Sequence, residues 1–298
     1  MKRSVRQGEG KKAERRRRRA GRTLHPPNSS DLTNKLGAPI TLLTDFGNTD
    51  YFVGAMKGTI LSVNPRAIVV DITHSIPAHD IEAAAFNLLS CYRAFPAGTV
   101  HVAVVDPGVG SERRPILVHA GDYMFVGPDN GIFSYVYDLE PDCRIFQITS
   151  AQYFRQPVSA TFHGRDIFAP VAAEVLGGLT PRRLGKLIRD PVRLKPLQAG
   201  PWKNGKLRGR VIHIDHFGNC ITNITRTDFQ GASRLEVAGK TIKSFQNFYA
   251  AAGKHRLMGV WGSAGFLEIV ANQASASKLL HIQRGQPALL VARKDGPS

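Results

Sequence analysis

The sequence predicts an α/β domain with a mainly parallel sheet, followed by a small β-barrel or sandwich domain. Three observations carry that expectation. Short apolar runs alternate with amphipathic stretches from Pro39 to Val105, the rhythm of parallel strands joined through helices. Residues 189–203 hold Pro191, Pro196 and Pro201 and no hydrophobic period, as a linker does. Beyond them, short β-rich runs recur at close spacing with no long helical window. The expected boundaries are a basic tail over 1–37, the N-terminal α/β domain over 38–190, a linker over 191–202 and the C-terminal β domain over 203–298.

Taken in order, residues 39–44 (PITLLT) form a first strand, ending on Asp45 and the Phe46-Gly47 turn. Residues 51–63 place Phe52, Met56, Ile60 and Leu61 at helical spacing and are stopped by Asn64-Pro65. Residues 67–72 read as a second strand, with Asp71 near its end and His74 just beyond. Asp80 opens an amphipathic helix, IEAAAFNLLSCYRAF, with an acidic first turn that suits the helix dipole. The third strand, Val100 to Val105, is dense in valine and ends on Asp106. Pro107, Gly108 and Gly110 then turn the chain towards Arg113. A carboxylate and a guanidinium thus share a tight loop at the carboxyl end of a strand, where ligands bind in open α/β sheets.

Residues 115–119 and 123–126 read as strands around Gly121-Asp122, and Pro128 to Gly131 is a turn opening a short helix over 132–137. His163 stands just before the helix IFAPVAAEVLGG, where unpaired backbone N–H groups can face a ligand. A helix of the type TPRRLGKL closes the domain. In the second domain, residues 208–215 and 220–224 pair around a Phe217-Gly218-Asn219 turn. No internal repeat is visible.

The formal charge of +17 points to nucleic acid only if it covers a folded face. It does not: twelve of the forty Lys and Arg fall in residues 1–36, against Glu9, Glu14 and Asp31. Such a run cannot bury a core and reads as a disordered tail with, at most, weak contact to nucleic acid or an anionic surface. No window reaches the roughly 20 apolar residues of a bilayer span, and no apolar stretch follows the basic start, so the expected location is the cytoplasm. Cys91, Cys143 and Cys220 are widely spaced, which argues against a disulfide framework or zinc knuckle. Of the ten His, only His213 and His216 are close, and strand alternation separates them, so no metal is expected. Gly108-Val109-Gly110 lacks the third glycine and helix of a dinucleotide fingerprint, and neither a phosphate-binding GxxxxGK[ST] loop nor a G-x-S-x-G elbow is present.

Six segments in order then carry a resemblance: TDFG (44–47), VVDPGVGSER (104–113), PDNG (128–131), TFHGRDIFAPVAA (161–173), IDHFGNCITN (214–223) and GSAGFLEIVAN (262–272). Together they resemble the S-adenosylmethionine hydroxide adenosyltransferase family, relatives of the fluorinase and chlorinase. The likeness runs from about Pro39 to about Leu290. It implies S-adenosylmethionine as substrate, water or hydroxide as nucleophile, adenosine and methionine as products, and no separate cofactor. It implies that Asp106, Arg113 and His163 position and activate the water. It further implies that Asp45 holds the ribose hydroxyls, Asp215 the methionine ammonium, Asn219 the adenine and Ser263 the methionine carboxylate, with Asn272 in the segment lining the base. Family members form trimers whose sites lie between the N-terminal domain of one subunit and the C-terminal domain of the next. Within the same fold the alternative is halide transfer; the halogenases lack the Asp-Arg-His set and carry an extra loop after the central turn. A non-catalytic sensor of adenosyl ligands is the alternative of a different class.

The residue types suit that chemistry independently. A sulfonium leaves as a neutral thioether, so its departure needs no acid. The difficulty is to hold a poorly solvated oxygen nucleophile in line with C5′. Arg113 can stabilise such an anion, and Asp106 and His163 can orient it or take a proton.

Overall fold

In the computed structural model, which describes residues 37–229, 232–248 and 253–293, the apolar runs of the first half become parallel strands. These are β1 (Ile40–Thr44), β2 (Val69–Thr73) and β3 (Val100–Val104). The hairpin β4 (Pro115–Ala120) and β5 (Tyr123–Pro128) follows, then β6 (Arg144–Gln147) and the two-residue β7 (Leu187–Ile188). The sheet order is β2-β1-β3-β5-β4-β6-β7, parallel from β2 through β5 and antiparallel beyond.

Strand alternation sends side chains to two separate cores. Ile40, Leu42, Val100 and Val102 pack with Met56 and Ile60 of α1 (Phe52–Val63) and Val171 and Ala172 of α4 (Ala169–Leu176). Leu43, Ala103 and Val105 pack on the other face, with Ala84 and Leu88 of α2 (Ile81–Cys91) and Val136 of α3 (Ser134–Leu139). Helix α2 starts where its cap predicts, since the Asp80 carboxylate accepts a hydrogen bond from the Ala83 N–H.

Two expected helices differ. The short helix at 132–137 begins instead at Ser134, after a turn in which Ser134 N–H bonds the Gly131 carbonyl. The TPRRLGKL segment is only a single 3-10 turn, Pro181–Arg183, and Leu187 and Ile188 then pair with β6. Gly185 decides this: a Cβ there would lie 2.1 Å from the Gln147 carbonyl oxygen, so its absence lets the chain join the sheet rather than continue a helix.

The second half forms an eight-stranded sheet, nearly closed into a barrel. Its strands are β8 (Lys206–Ile214), β9 (Cys220–Thr225), β10 (Ala232–Val237), β11 (Lys240–Ile242), β12 (Phe245–Gln246), β13 (Leu257–Trp261), β14 (Phe266–Ala271) and β15 (Pro287–Ala292). Their order is β11-β10-β15-β8-β9-β14-β13-β12. A one-turn helix, α5 (Ala276–Leu280), adds Leu280 to its core. The barrel packs on the α2 and α3 side of the first sheet: Ile212 and Ile221 meet Phe86 and Tyr135, and His213 stacks on Phe86 at 4.9 Å between ring centres. Arg210 pairs with Glu82 at 2.8 Å and Arg284 with Asp80 at the rim.

The proline-rich segment between the sheets has no regular structure but is fastened down. Val192 N–H bonds Asp129 (2.9 Å), Leu194 N–H bonds Ser134 Oγ (2.8 Å), and Arg114 holds Asp190 (3.0 Å). Among the described residues, no helix is long and apolar enough to cross a membrane. The basic run expected to be a disordered tail lies outside the described residues, apart from Gly37.

One core residue makes stability depend on pH. His101 of β3 is fully buried among Tyr92, Phe95, Tyr123 and Phe125, with Nδ1 bonded to Thr41 Oγ1 at 2.7 Å. Burial pushes its pKa down to about 3, far below the ordinary 6.5. Between those values the unfolded chain takes up a proton that the folded chain refuses, so stability present above pH 6.5 is lost as pH falls, by up to about 1.4 kcal/mol per unit. The expected result is a Tm that drops between pH 7 and pH 5 and drops less in His101→Phe. An equal slope in both proteins would assign the acid sensitivity to other groups.

Candidate active site

The chain runs from β1 through α1 to β2 on one side, then returns through α2 to β3 on the other side of β1. The carboxyl ends of β1 and β3 therefore flank the point where the strand order reverses, which is the usual crevice for a ligand in such sheets. Thr44 pairs with Val104 in the parallel register, so Asp45 and the Val105-Asp106 segment leave neighbouring strands at the same edge.

Asp106, Arg113 and His163 meet in one hydrogen-bonded group. Arg113 Nε donates to Asp106 Oδ1 at 2.9 Å, its Nη2 donates to Asp106 Oδ2, and the same Nη2 donates to His163 Nδ1 at 2.7 Å. The pair is nearly dry, with side-chain exposures of 10 % for Arg113 and 5 % for Asp106. The guanidinium lies 5.3 Å above the centre of the Phe168 ring, whose side chain belongs to the α1 and α4 core. A guanidinium can only donate, so His163 Nδ1 carries no proton and the neutral ring keeps its hydrogen on Nε2. Burial, then the Arg113 charge, hold the His163 pKa below its ordinary value and keep the ring in this form. Three of the five guanidinium hydrogens are thereby used. Nη1 is buried and has no partner among the described residues.

Backbone geometry brings the three together. Gly110 has φ +79°, and a Cβ there would sit 2.4 Å from the Ala160 carbonyl oxygen, so only glycine lets the 106–113 loop lie against the segment carrying His163. His163 ends that segment and immediately precedes a π-helical turn, Gly164–Phe168, that runs into α4. The position before a helix start is as expected, although the ring makes no capping bond.

Several supporting residues escaped the sequence reading. Asn130 Nδ2 donates to the Val105 carbonyl at 2.8 Å and braces the chain just before Asp106. Asp129 takes Arg114 Nε at 2.9 Å, fixing the residue after Arg113. Asp166, with no exposed side-chain surface, accepts from Arg165 Nε (2.7 Å), Arg155 Nη1 (3.2 Å) and Ser159 N–H (2.9 Å), knotting the loop before His163. Burial alone would raise the Asp166 pKa, but these donors outweigh it and hold the carboxyl below its usual range. The signal lies in PDNG and in the GRD following His163, motifs that carry the family resemblance without showing which groups their side chains hold.

Of the remaining expected residues, Asp45 is half-buried and its Oδ2 accepts the His79 N–H at 2.9 Å. Asp215 and Asn219 are joined: Asp215 Oδ1 accepts the Phe217 and Asn219 N–H groups at 2.9 and 2.8 Å, and Oδ2 accepts Asn219 Nδ2 at 2.8 Å. Ser263 is exposed in the turn between β13 and β14, whereas Asn272 follows β14 and accepts His255 N–H on its carbonyl. Cys220 pairs with Ile269 and Thr225 with Phe266, so the Asp215-Asn219 turn lies at the Asn272 end of β14. Ser263 is at the other end, about 20 Å away for a six-residue strand. Among the described residues, no hydrogen bond joins Asp45, Asp215, Asn219 or Ser263 to Asp106, Arg113 or His163.

The family models divide the chain as the two sheets do. The SAM hydroxide adenosyltransferase N-terminal domain matches residues 40–185, and the corresponding C-terminal domain matches residues 209–288. The chain belongs to the SAM hydroxide adenosyltransferase family. Among its curated relatives, the (R)-S-adenosyl-L-methionine hydrolase of Thermus thermophilus is 36 % identical over 85 % of this chain and 99 % of that protein. The hydrolase of the same name from Methanocaldococcus jannaschii is 37 % identical over 82 % and 92 %. A fluorinase of Nocardia brasiliensis is more distant, 26 % identical over 85 % and 96 %. In three dimensions the chain is similar to a solved conserved protein of Thermotoga maritima, with a TM-score of 0.80 and 34 % identity over 85 % and 99 % of the two chains.

Proposed function

We propose that this chain hydrolyses S-adenosylmethionine to adenosine and methionine. The observation that carries the reading is Arg113, nearly closed off from solvent, which holds Asp106 and His163 with three hydrogens and leaves Nη1 without a partner among the described residues. An oxygen nucleophile accepting from Nη1 would be desolvated yet stabilised, and the donors would already stand in place when charge develops. The water oxygen attacks C5′, the C5′–S bond breaks, and its electron pair stays on sulfur as methionine leaves. The water proton must go to a nearby base. His163 has Nδ1 engaged by Arg113 and a proton on Nε2, so it orients the water, and the remaining lone pairs of Asp106 take the proton. The sulfonium is its own leaving group, so the step needs no cofactor.

The substrate roles follow the same reading. Asp45 holds the ribose hydroxyls, Asp215 the ammonium, and Asn219 and the Asn272 segment the adenine, whereas Ser263, beyond the other end of β14, stands too far from Asp215 to take the carboxylate of the same methionine. The site is shared between copies of the chain in a trimer. In support, Arg113 lies over Phe168 in the α1 and α4 core, whereas the chain's own barrel packs through Phe86 and Tyr135 of the other face.

Incubation with each sulfonium epimer of S-adenosylmethionine in 18O-labelled water tests this. The expected products are methionine and adenosine labelled at the 5′ oxygen, with the R epimer, for which the relatives are named, preferred. Unlabelled adenosine, or a 5′-halo product in chloride or fluoride, would overturn the hydrolase reading.

A further inference from the structure

Beside the proposed site, a second buried group of polar side chains surrounds the turn that carries Asp45. Strands β1 and β2 pair in register from Ile40 opposite Val69 to Leu42 opposite Asp71, but Leu43 then stands opposite Thr73, so β2 holds one extra residue, Ile72. Such an insertion re-aims the residues that follow it. The shift brings His74, which is 4 % exposed, to Thr44, which is fully buried, with His74 Nδ1 and Thr44 Oγ1 2.8 Å apart.

The turn is tied to this pair at the two residues that follow Asp45. Thr44 Oγ1 accepts the Phe46 N–H at 3.2 Å, and the His74 carbonyl accepts the Gly47 N–H at 2.8 Å. The far side of the imidazole faces a carboxylate, with Nε2 3.1 Å from Asp71 Oδ1, and Lys57 Nζ lies 2.6 Å from Asp71 Oδ2. Burial would raise the Asp71 pKa, but Lys57 and His74 outweigh it and keep the carboxylate ionised. From the same loop, His79, at φ +66°, donates its N–H to Asp45 Oδ2. Residues 74–79 therefore hold the Asp45 turn at one end and the Asp45 carboxylate at the other.

We infer that His74, braced by Asp71 and acting through Thr44, is a positioning residue that aims Asp45 at the substrate's ribose and so sets the preference for a 2′,3′-diol. This rests on the assignment of Asp45 to the ribose hydroxyls. His74 touches neither the nucleophile nor the sulfur, so its loss should show in substrate discrimination rather than in the chemical step. A carboxylate freed to rotate loses the bidentate hold on two adjacent hydroxyls, and the substrate with one hydroxyl gives up less.

The test compares S-adenosylmethionine with its 2′-deoxy analogue in the wild-type protein and in Asp45→Asn, Thr44→Val, Thr44→Ser and His74→Phe. Thr44→Val exchanges one hydroxyl for a methyl and decides the question if His74→Phe does not fold. Thr44→Val and His74→Phe should raise KM for the ribose substrate roughly tenfold, the worth of one or two hydrogen bonds. Their kcat should stay within about twofold, and the ribose preference should shrink. Thr44→Ser should restore both, and the Thr44→Val/His74→Phe double variant should be no worse than either single one, because the two side chains act as a unit. If Asp45→Asn loses the ribose preference while Thr44→Val and every folded His74 variant keep it, the positioning role is wrong and the Asp45 assignment stands. If Asp45→Asn keeps the preference, the Asp45 assignment fails and the inference falls with it.

Discussion

Arg113→Ala should lower kcat by roughly a hundredfold to a thousandfold, the loss usual when a preorganised donor to a developing oxyanion is removed, while KM changes much less. The geometry explains the size: one guanidinium holds Asp106 by two hydrogen bonds and His163 by one. Arg113→Lys should be nearly as poor, since an ammonium cannot make the planar two-point bond to Asp106 and still reach His163. Arg113→Ala also leaves a 5 % exposed carboxylate without its partner, so a stability loss of about 3–5 kcal/mol is expected for it as well. Rates must therefore be read at a temperature where the variants remain folded. Asp106→Asn separates the effects: it keeps the shape, removes the proton acceptor, and should lose kcat as Arg113→Ala does. A loss shared equally between kcat and substrate affinity would move Arg113 into the binding shell.

The same group fixes the acid side of the pH profile. Protonation at His163 Nδ1 would break its bond from Arg113 and set two cations side by side. Because the His163 pKa is held below 6.5, by burial first and by Arg113 second, activity should persist below pH 6.5 and fall only at lower pH. In Arg113→Ala the nearby positive charge is gone, and what activity remains should titrate at higher pH. An acid limb at the same pH in both proteins would show that another group governs it.

The second large effect is recovery of activity from two inactive proteins. Asp106→Ala damages the half of the site on the first sheet, and Asp215→Ala damages the half on the barrel. Each should be nearly inactive alone. If sites form between copies, unfolding and refolding the two together produces mixed assemblies in which some sites join an intact Asp106 to an intact Asp215, and turnover reappears in proportion to such pairings. If each chain builds its own site, every site still carries one lesion and no mixing ratio restores turnover. Absence of rescue, with mixed assemblies confirmed by mass, would sink the shared-site reading and leave the roles of Asp106, Arg113 and His163 standing.

Much of this protein is written locally in its sequence. Valine-rich runs of five or six residues can only be buried strands, Asp80 caps a helix whose apolar face is periodic, and a strand that ends on Asp106-Pro107-Gly108 must place its carboxylate on a turn. These are consequences of backbone geometry and side-chain pattern within a few residues, so no distant contact is needed to read them. The six ordered motifs likewise mark the family, because they fix residue types around a site without specifying how those residues meet.

What the tertiary structure decided is which distant groups share a hydrogen bond. His163 is fifty residues from Arg113 in the chain, and only the approach of Gly110 to Ala160 brings them to 2.7 Å. The protonation state of His163 follows from that single contact, since a cation can only donate to it. The linker pattern around Pro191 and Pro196 was legible as irregular chain, but its attachment to Asp129 and Ser134 was not, because those partners lie some sixty residues earlier. His74 is the clearest case. In the sequence it is a loop histidine after a strand; one inserted residue in β2 turns it into the buried partner of Thr44, thirty residues away. A strand's register belongs to its pairing with a neighbour, and that pairing is chosen by the whole sheet.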